Sequence, residues 1–463
     1  THAEDGIPLI VLDTTDPATI LRIEREVPLV ETLFIVASKS GTTAEDIAFN
    51  EYFYAKVKTL KAKKAGDHFV AITDPDTPLA KLAKKRGFRR IFLNFNDIGG
   101  RYSALSYFGL VPAALMGIDV TELLTRARRM MHACMPSVPI HENPGILLGA
   151  VIGELAFRCR DKVTFLISES IATLGMWLEQ LLAESTGKEG KGVLPVVSEP
   201  LGSPSVYGDD RLFVDIRLKD GIDKVQAEGV EALRKAGQPV VTISIDDRFD
   251  LGQEFFRWEI ATATVGAVLG INAFDQPNVQ ESKDNTNLLL TKVRQAGRLT
   301  EPSPDLSEGL LGFYGIEGVQ SAREFIEAFF GRARRGDYIA LQAYLPETPL
   351  ITEKLQALRL FLRDRLRLAT TIGYGPRFLH STGQYHKGGP NKGLFLQLTA
   401  DEVEDVPIPG GPYTFGVFKR AQALGDLQAL RKHRRQVIRI HLLGQDVIKG
   451  LEALLEAVEK AFE

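Results

Sequence analysis

Short apolar runs alternate with amphipathic helical stretches along most of this sequence, and that alternation restricts the chain to a narrow class of folds. Over the first 131 residues, 7–13, 32–37, 68–73 and 90–95 read as strands, and 18–25, 43–63 and 78–86 as helices. Strands separated by helices of this length predict a parallel sheet covered on both faces. The rhythm restarts after residue 142. Helices are expected over 143–158, 172–185, 222–236 and 252–269, and strands over 162–167, 193–197, 212–218 and 240–245. From 309 onward, helices over 322–335, 353–367, 421–431 and 447–462 accompany strands over 393–398 and 436–441. The expected fold is α/β, with two doubly wound αβα sandwiches on parallel sheets at 1–141 and 142–308. A C-terminal α/β region follows at 309–463. No sequence repeat relates the first two units.

Composition removes several function classes. The 463 residues carry 56 basic and 59 acidic side chains, a net charge of -3, which gives no electrostatic reason to bind nucleic acid or an anionic membrane. The longest apolar stretch, 104–118, contains Ser106, Tyr107, Gly109 and Pro112, and falls short of the roughly 18–20 residues a membrane span needs. No signal-peptide pattern is evident. Cys134 and Cys159 have no metal or redox spacing and read as small hydrophobes in a reducing, cytoplasmic compartment.

Four segments carry candidate chemistry. Ser38-Lys39-Ser40-Gly41-Thr42-Thr43 lies between a strand and a helix, where open parallel sheets place ligands and a helix N-terminus offers free N–H groups. Capping that helix needs one hydroxyl; this turn has four, which favours a phosphate cradle. Gly99-Gly100-Arg101-Tyr102-Ser103 is a second strand–helix turn, with glycines that admit a ligand and an arginine that can hold an anion. The third segment, 177–192, carries Glu179, Gln180 and Glu184 on a helix that ends at Gly187. A carboxylate at such an end can act as a general base, although by itself the segment reads as a surface helix closed by glycine. The fourth, 275–283, reads as a polar turn that opens another helix.

Together these segments resemble glucose-6-phosphate isomerases, a family built on two sugar-isomerase (SIS) domains. The Ser-Lys-x-x-Thr-Thr phosphate loop is matched by Ser38, Lys39, Thr42 and Thr43, and Gly-Gly-Arg-[Phe/Tyr]-Ser by Gly99 to Ser103. Gln-x-x-x-Glu-Ser-x-Gly-Lys is matched by Gln180, Glu184, Ser185, Gly187 and Lys188. Gln-x-x-Val-[Glu/Gln]-x-x-Lys is matched by Gln276, Val279, Gln280 and Lys283. The wording around the third motif is most similar to the isomerase half of bifunctional transaldolase/glucose-6-phosphate isomerases, which implies a covalently fused transaldolase upstream. The resemblance implies that Ser38, Lys39, Ser40, Thr42 and Thr43 hold the phosphate and that Glu184 moves a proton between C1 and C2. It also implies that Arg101 stabilises the enediolate, that Gln276 and Lys283 handle the sugar, and that Gly100 and Gln180 contact the substrate. It implies no metal, no cofactor and usually a homodimer.

Two departures from the family pattern stand out. The ring-opening histidine is expected between the Glu and Gln/Lys motifs, yet 207–211 holds Asp209, Asp210 and Arg211 there. The segment Leu379-His380-Ser381-Thr382-Gly383-Gln384 resembles the missing one, displaced toward the C-terminus, so His380 is expected to take the role with His386 in reserve. No glycine-rich turn precedes Ser38, so the first SIS unit reads as N-terminally incomplete, with weakened phosphate affinity expected. The competing readings are a non-catalytic sugar-phosphate sensor and an isomerase that also accepts mannose 6-phosphate.

Overall fold

Three separate sheets organise the chain in the computed structural model, which describes residues 6–219 and 223–463. In the first sheet β1 (Phe34–Ala37), β2 (Phe69–Thr73) and β3 (Arg90–Leu93) lie in that order, all parallel. The central β2 is buried along its whole length, which is why it reads as an unbroken apolar run. The second sheet holds β4 (Lys162–Ile167), β5 (Leu194–Val196), β6 (Arg211–Leu218) and β7 (Val240–Ile245), parallel in the order β5-β4-β6-β7.

The third sheet holds β8 (Leu306–Glu308), β9 (Leu311–Tyr314), β10 (Tyr338–Tyr344), β11 (Ala369–Tyr374), β12 (Gly393–Ala400) and β13 (Gln436–Leu442). Its order is β11-β10-β12-β13-β9-β8, with four parallel strands and an antiparallel pair at one edge. The parallel part repeats the strand order of the second sheet. The C-terminal region is therefore a wound sheet of its own, more regular than the sequence pattern suggests.

The expected α/β class with parallel sheets is present, with local differences. Residues 7–13 form no strand. Ile7, Leu9, Ile10 and Val11 are exposed, and a strand without a ladder partner gains nothing from extended backbone. The strands β10 and β11 are additional to the sequence reading. Their apolar pattern is broken by Gln342, Thr370 and Thr371, all buried, and Gln342 and Thr370 find side-chain partners inside. The helix expected from 421 begins at Phe415, where Thr414 accepts the Val417 N–H as N-cap. The helix expected over 222–236 is observed as Lys224–Lys235, and Ile222 lies outside the described residues. Among the described residues no helix is long and apolar enough to cross a membrane.

One apolar cluster runs from Val36 and Phe69 of the first sheet through Leu194 of the second to Tyr338 and Phe395 of the third. That shared core fixes the third sheet against the helix that follows β1 and the helix that precedes β5.

Candidate active site

The turn after β1 leads into the helix Ala44–Lys61 with Thr43 at its N-cap. Thr43 makes no side-chain cap; its hydroxyl pairs with Ser38 at 2.9 Å, and Ser40 pairs with Thr42 at 2.8 Å. The first-turn N–H groups are thus not capped by Thr43, and a ligand can approach them. Gly41 is required here, because its φ is +64° and a Cβ would stand 2.8 Å from Leu79 N. Lys39 is turned to Asp74 and the Asn96 carbonyl. Its charge is shared at the rim of the turn, which differs from the direct phosphate contact expected.

Arg101 stands on the short turn Gly100–Tyr102 and is 3% exposed. Its guanidinium joins three segments. Nε donates to Ser185 Oγ at 2.7 Å, and Nη1 donates to Gln276 Oε1 at 2.9 Å and lies 3.2 Å from Glu184 Oε1. Nη2 donates to the carbonyls of Ala273 and Asp275, both at 2.9 Å. Gln180 donates to the other oxygen of Glu184 at 3.2 Å. A Cβ on Gly100 would meet open space, so no protein packing demands glycine there and a ligand has room to approach.

His380 comes from the third sheet, on the turn Arg377–His380 after β11. Its Nε2 lies 3.1 Å from Oε1 of Glu45, in the first turn of the helix that follows the hydroxyl-rich loop. Burial works to raise the Glu45 carboxyl. The hydrogen bond and charge of His380, its own backbone N–H and the charge of Lys283 outweigh burial and hold it below the ordinary value. Lys283 itself is exposed on the helix Val279–Ala296. The neighbouring Asp46 is pushed up to about 6, chiefly by burial and further by Glu45.

The chain after His380 is docked on the other motifs. Ser381 donates to Glu179 at 3.0 Å, and burial lifts that carboxyl to about 7. Gln384 donates to the Gly187 carbonyl and accepts the Asn278 N–H, both at 2.8 Å. The four motifs and the displaced histidine segment therefore meet in one place.

One expectation is corrected. His386, on the short helix Gly383–Gly388, is buried against the third sheet, its Nδ1 3.3 Å from Gln342 Nε2 and its ring against Phe395. Burial pushes its pKa well below the ordinary value, so it is neutral packing and no reserve for His380. The stretch 207–211 is occupied structurally: Arg211 is fully buried, 3.2 Å from Glu199 and 2.7 Å from Thr164 Oγ1, and Asp210 stands 3.3 Å from Lys162. Glu45, Ser381 and Gln384 are site neighbours beyond the sequence reading. Ser381 and Gln384 lie within the segment that resembles the histidine motif, and Glu45, an acid in the first helical turn, carried no separate signal.

A family model described as phosphoglucose isomerase matches residues 1–207. The glucose-6-phosphate isomerase of Thermosynechococcus vestitus is 32% identical over 364 residues, 69% of this chain and 66% of that protein. A glucose-6-phosphate isomerase of Thermus thermophilus is 31% identical over 340 residues, 64% of this chain and 79% of that protein. This chain belongs to the phosphoglucose isomerase family. A crystal structure of a hypothetical protein from Thermus thermophilus superposes with a TM-score of 0.56 at 26% identity, over 64% of this chain and 79% of that one. The phosphoglucose isomerase match includes Arg101 and Glu184, whereas Gln276, Lys283 and His380 lie beyond residue 207.

Proposed function

We propose that this chain interconverts glucose 6-phosphate and fructose 6-phosphate by moving one proton between C1 and C2. The observation that carries this reading is the buried Arg101, which holds Glu184 and Gln276 together beside the loop where Glu45 meets His380. Family membership supports it.

The roles follow from the chemistry. Glu184 takes the proton from C2 of the open-chain aldose as the C1 carbonyl receives the electrons, the C2 hydroxyl proton passes to the C1 oxygen, and the same carboxyl returns its proton to C1. C2 is oxidised as C1 is reduced within one molecule, so the step balances without an outside electron acceptor. Arg101 faces the oxygens where negative charge develops, the position at which a fixed cation lowers the barrier. Gln180 orients Glu184. Ser38, Ser40, Thr42, Thr43 and the helix N–H groups receive the phosphate, with Lys39 adding charge at the rim. Gln276 and Lys283 contact the sugar, and Gly100 leaves it space. An ionised Glu45 holds the His380 proton on Nε2, which leaves Nδ1 to exchange a proton with the sugar ring as it opens. On this reading the chain divides into the expected units at 1–141, 142–308 and 309–463, except that β8 (Leu306–Glu308) pairs into the third sheet, so the third unit begins by residue 306, and that unit supplies the ring-opening group.

A coupled assay from fructose 6-phosphate tests the proposal. Glu184→Gln should lose roughly 10²–10⁴-fold in rate. His380→Ala should lose turnover of ring-closed substrate while keeping proton exchange on a four-carbon aldose phosphate too short to close a ring. Binding without turnover in the wild type would point to a sensor, and unchanged turnover in Glu184→Gln would remove Glu184 as the base. Mannose 6-phosphate in the same assay defines the epimer range.

A further inference from the structure

Glu45 Oε1 has a second partner. Gln422, on the helix Phe415–Lys432, donates its Nε2 to that oxygen at 2.6 Å, the same atom that stands 3.1 Å from His380 Nε2. The amide is not free to turn over, because an ionised Glu45 carboxylate only accepts; the other end of the amide, Oε1, accepts the Thr15 hydroxyl at 2.8 Å. Thr15 is 0% exposed and Gln422 3%, so water does not substitute for either bond. The charges around the pair are accounted for. Lys283 faces Glu45 from the helix Val279–Ala296, Asp46 adjoins it in sequence, and Tyr344 faces it from β10. Lys419, just before Gln422 on its helix, is bound to Asp16 and Glu402 and is not available to Glu45.

We infer that Gln422 is a positioning residue for the Glu45–His380 pair. This rests on the reading above in which His380 opens the sugar ring. A carboxylate oxygen that accepts two N–H donors is held ionised and fixed in direction. Glu45 held this way keeps the imidazole proton on Nε2 and presents Nδ1 as the acceptor. Thr15 holds the far end of the amide that Glu45 orients, so the line Thr15–Gln422–Glu45–His380 runs from the segment before the first sheet to the third sheet. A glutamine whose purpose was only to tie those two parts together would need no donor on a carboxylate oxygen that already faces His380 Nε2.

The near-isosteric Gln422→Glu tests this. It sets a second carboxyl against Glu45, and two such groups share a proton and titrate higher as a coupled set with the imidazole. The His380 titration, followed by NMR with His380→Ala as the assignment control, should move up by about one pH unit. The acid limb of kcat/KM for fructose 6-phosphate should move the same way, with kcat/KM at pH 7 down by up to about tenfold and recovering at higher pH. Gln422→Leu removes the donor to Glu45 and, with it, the acceptor of the Thr15 hydroxyl. It should lower kcat about tenfold with KM little changed, and should also move the His380 titration upward. If thermal stability alone falls while the titration and the limb stay in place, Gln422 is a packing amide and the inference is overturned. Should Gln422→Glu fail to fold, an unmoved His380 titration in Gln422→Leu overturns it equally. The NMR arm needs no turnover, so an inert wild type would sink the proposed function while the titration still decides the role of Gln422.

Discussion

Four hydroxyls and two carboxyls share the turn after β1, and the carboxyls set how it responds to pH. Asp46 is the sharper case. Burial, with the charge of Glu45, raises it from 3.8 to about 6, against the pull of the Ser38 and Thr43 hydroxyls and His380. A carboxyl raised in the folded state holds its proton more tightly than the unfolded chain does. Its contribution is therefore full below about pH 4 and is lost as pH rises toward 6, above which a charge sits in a desolvated turn. Asp46→Asn should be more stable than wild type at pH 7, by up to roughly 3 kcal/mol, with a smaller advantage at pH 4.5. Urea unfolding at the two pH values measures this, and an equal difference at both would show that Asp46 does not titrate in this range. The hydroxyls of this turn were legible because four exceed what a cap needs. Glu45 was not, since an acid in the first helical turn is ordinarily a dipole partner, and the imidazole that gives it another use is 335 residues away.

Where the helix Leu174–Thr186 ends, the chain passes the segment that carries His380 at very short range. Gly187 has an ordinary negative φ of -76°, so its backbone does not require glycine; its neighbour does. A Cβ there would lie 2.3 Å from Tyr385 Cα and 2.6 Å from Tyr385 Cβ. Both are held close by the Gln384 bonds to Gly187 and Asn278. Gly187→Ala should therefore push the histidine segment off the helix that bears Glu184. The cost should be about 1–3 kcal/mol by urea unfolding, together with a fall in kcat larger than any change in KM. Unchanged kcat in the folded variant would mean that the contact does not place His380. The helix and its glycine were visible in sequence as an element boundary. The element that rests on them was not, because its strands β10 and β11 carry Gln342 and Thr370, polar residues whose partners Asp426 and Glu199 come from other parts of the chain. Periodicity reports which face of an element is apolar, and is silent where a buried face is polar and satisfied from afar.

Across the whole molecule, the second and third sheets are joined by charge as well as by apolar packing. Glu199 is 5% exposed and sits among Arg211, Arg359 and Arg363. Burial works to raise its pKa, but the charges of these three arginines outweigh burial and hold it below the ordinary value. Burial brings Arg359 down to about 10 despite the pull of Glu199. The arginines also bind backbone across the junction. Arg359 Nη1 donates to the Ser198 carbonyl at 2.9 Å, Arg363 Nη1 to Pro200 at 2.6 Å, and Arg211 Nη2 to Leu368 at 3.4 Å. Thr370 of β11 donates to Glu199 Oε1 at 3.0 Å. One carboxylate thus faces three cations, and the two possible losses are unequal. Glu199→Gln leaves buried guanidinium groups without a countercharge, which should cost about 3–5 kcal/mol. Arg363→Met leaves Glu199 with two arginines and should cost less. A depressed carboxyl contributes its stability above the unfolded pKa and loses it as pH falls through the folded one, so wild type and Glu199→Gln should converge on acidification. Urea unfolding of both variants at pH 7, and of wild type and Glu199→Gln down the acid limb, measures the asymmetry. If Arg363→Met proves the costlier, the junction is held by the arginine–carbonyl bonds and Glu199 is secondary. In either case the stretch 207–211, where the family pattern calls for a histidine, is committed through Arg211 to this junction, and the third sheet that the junction secures is the one that brings His380 to Glu45.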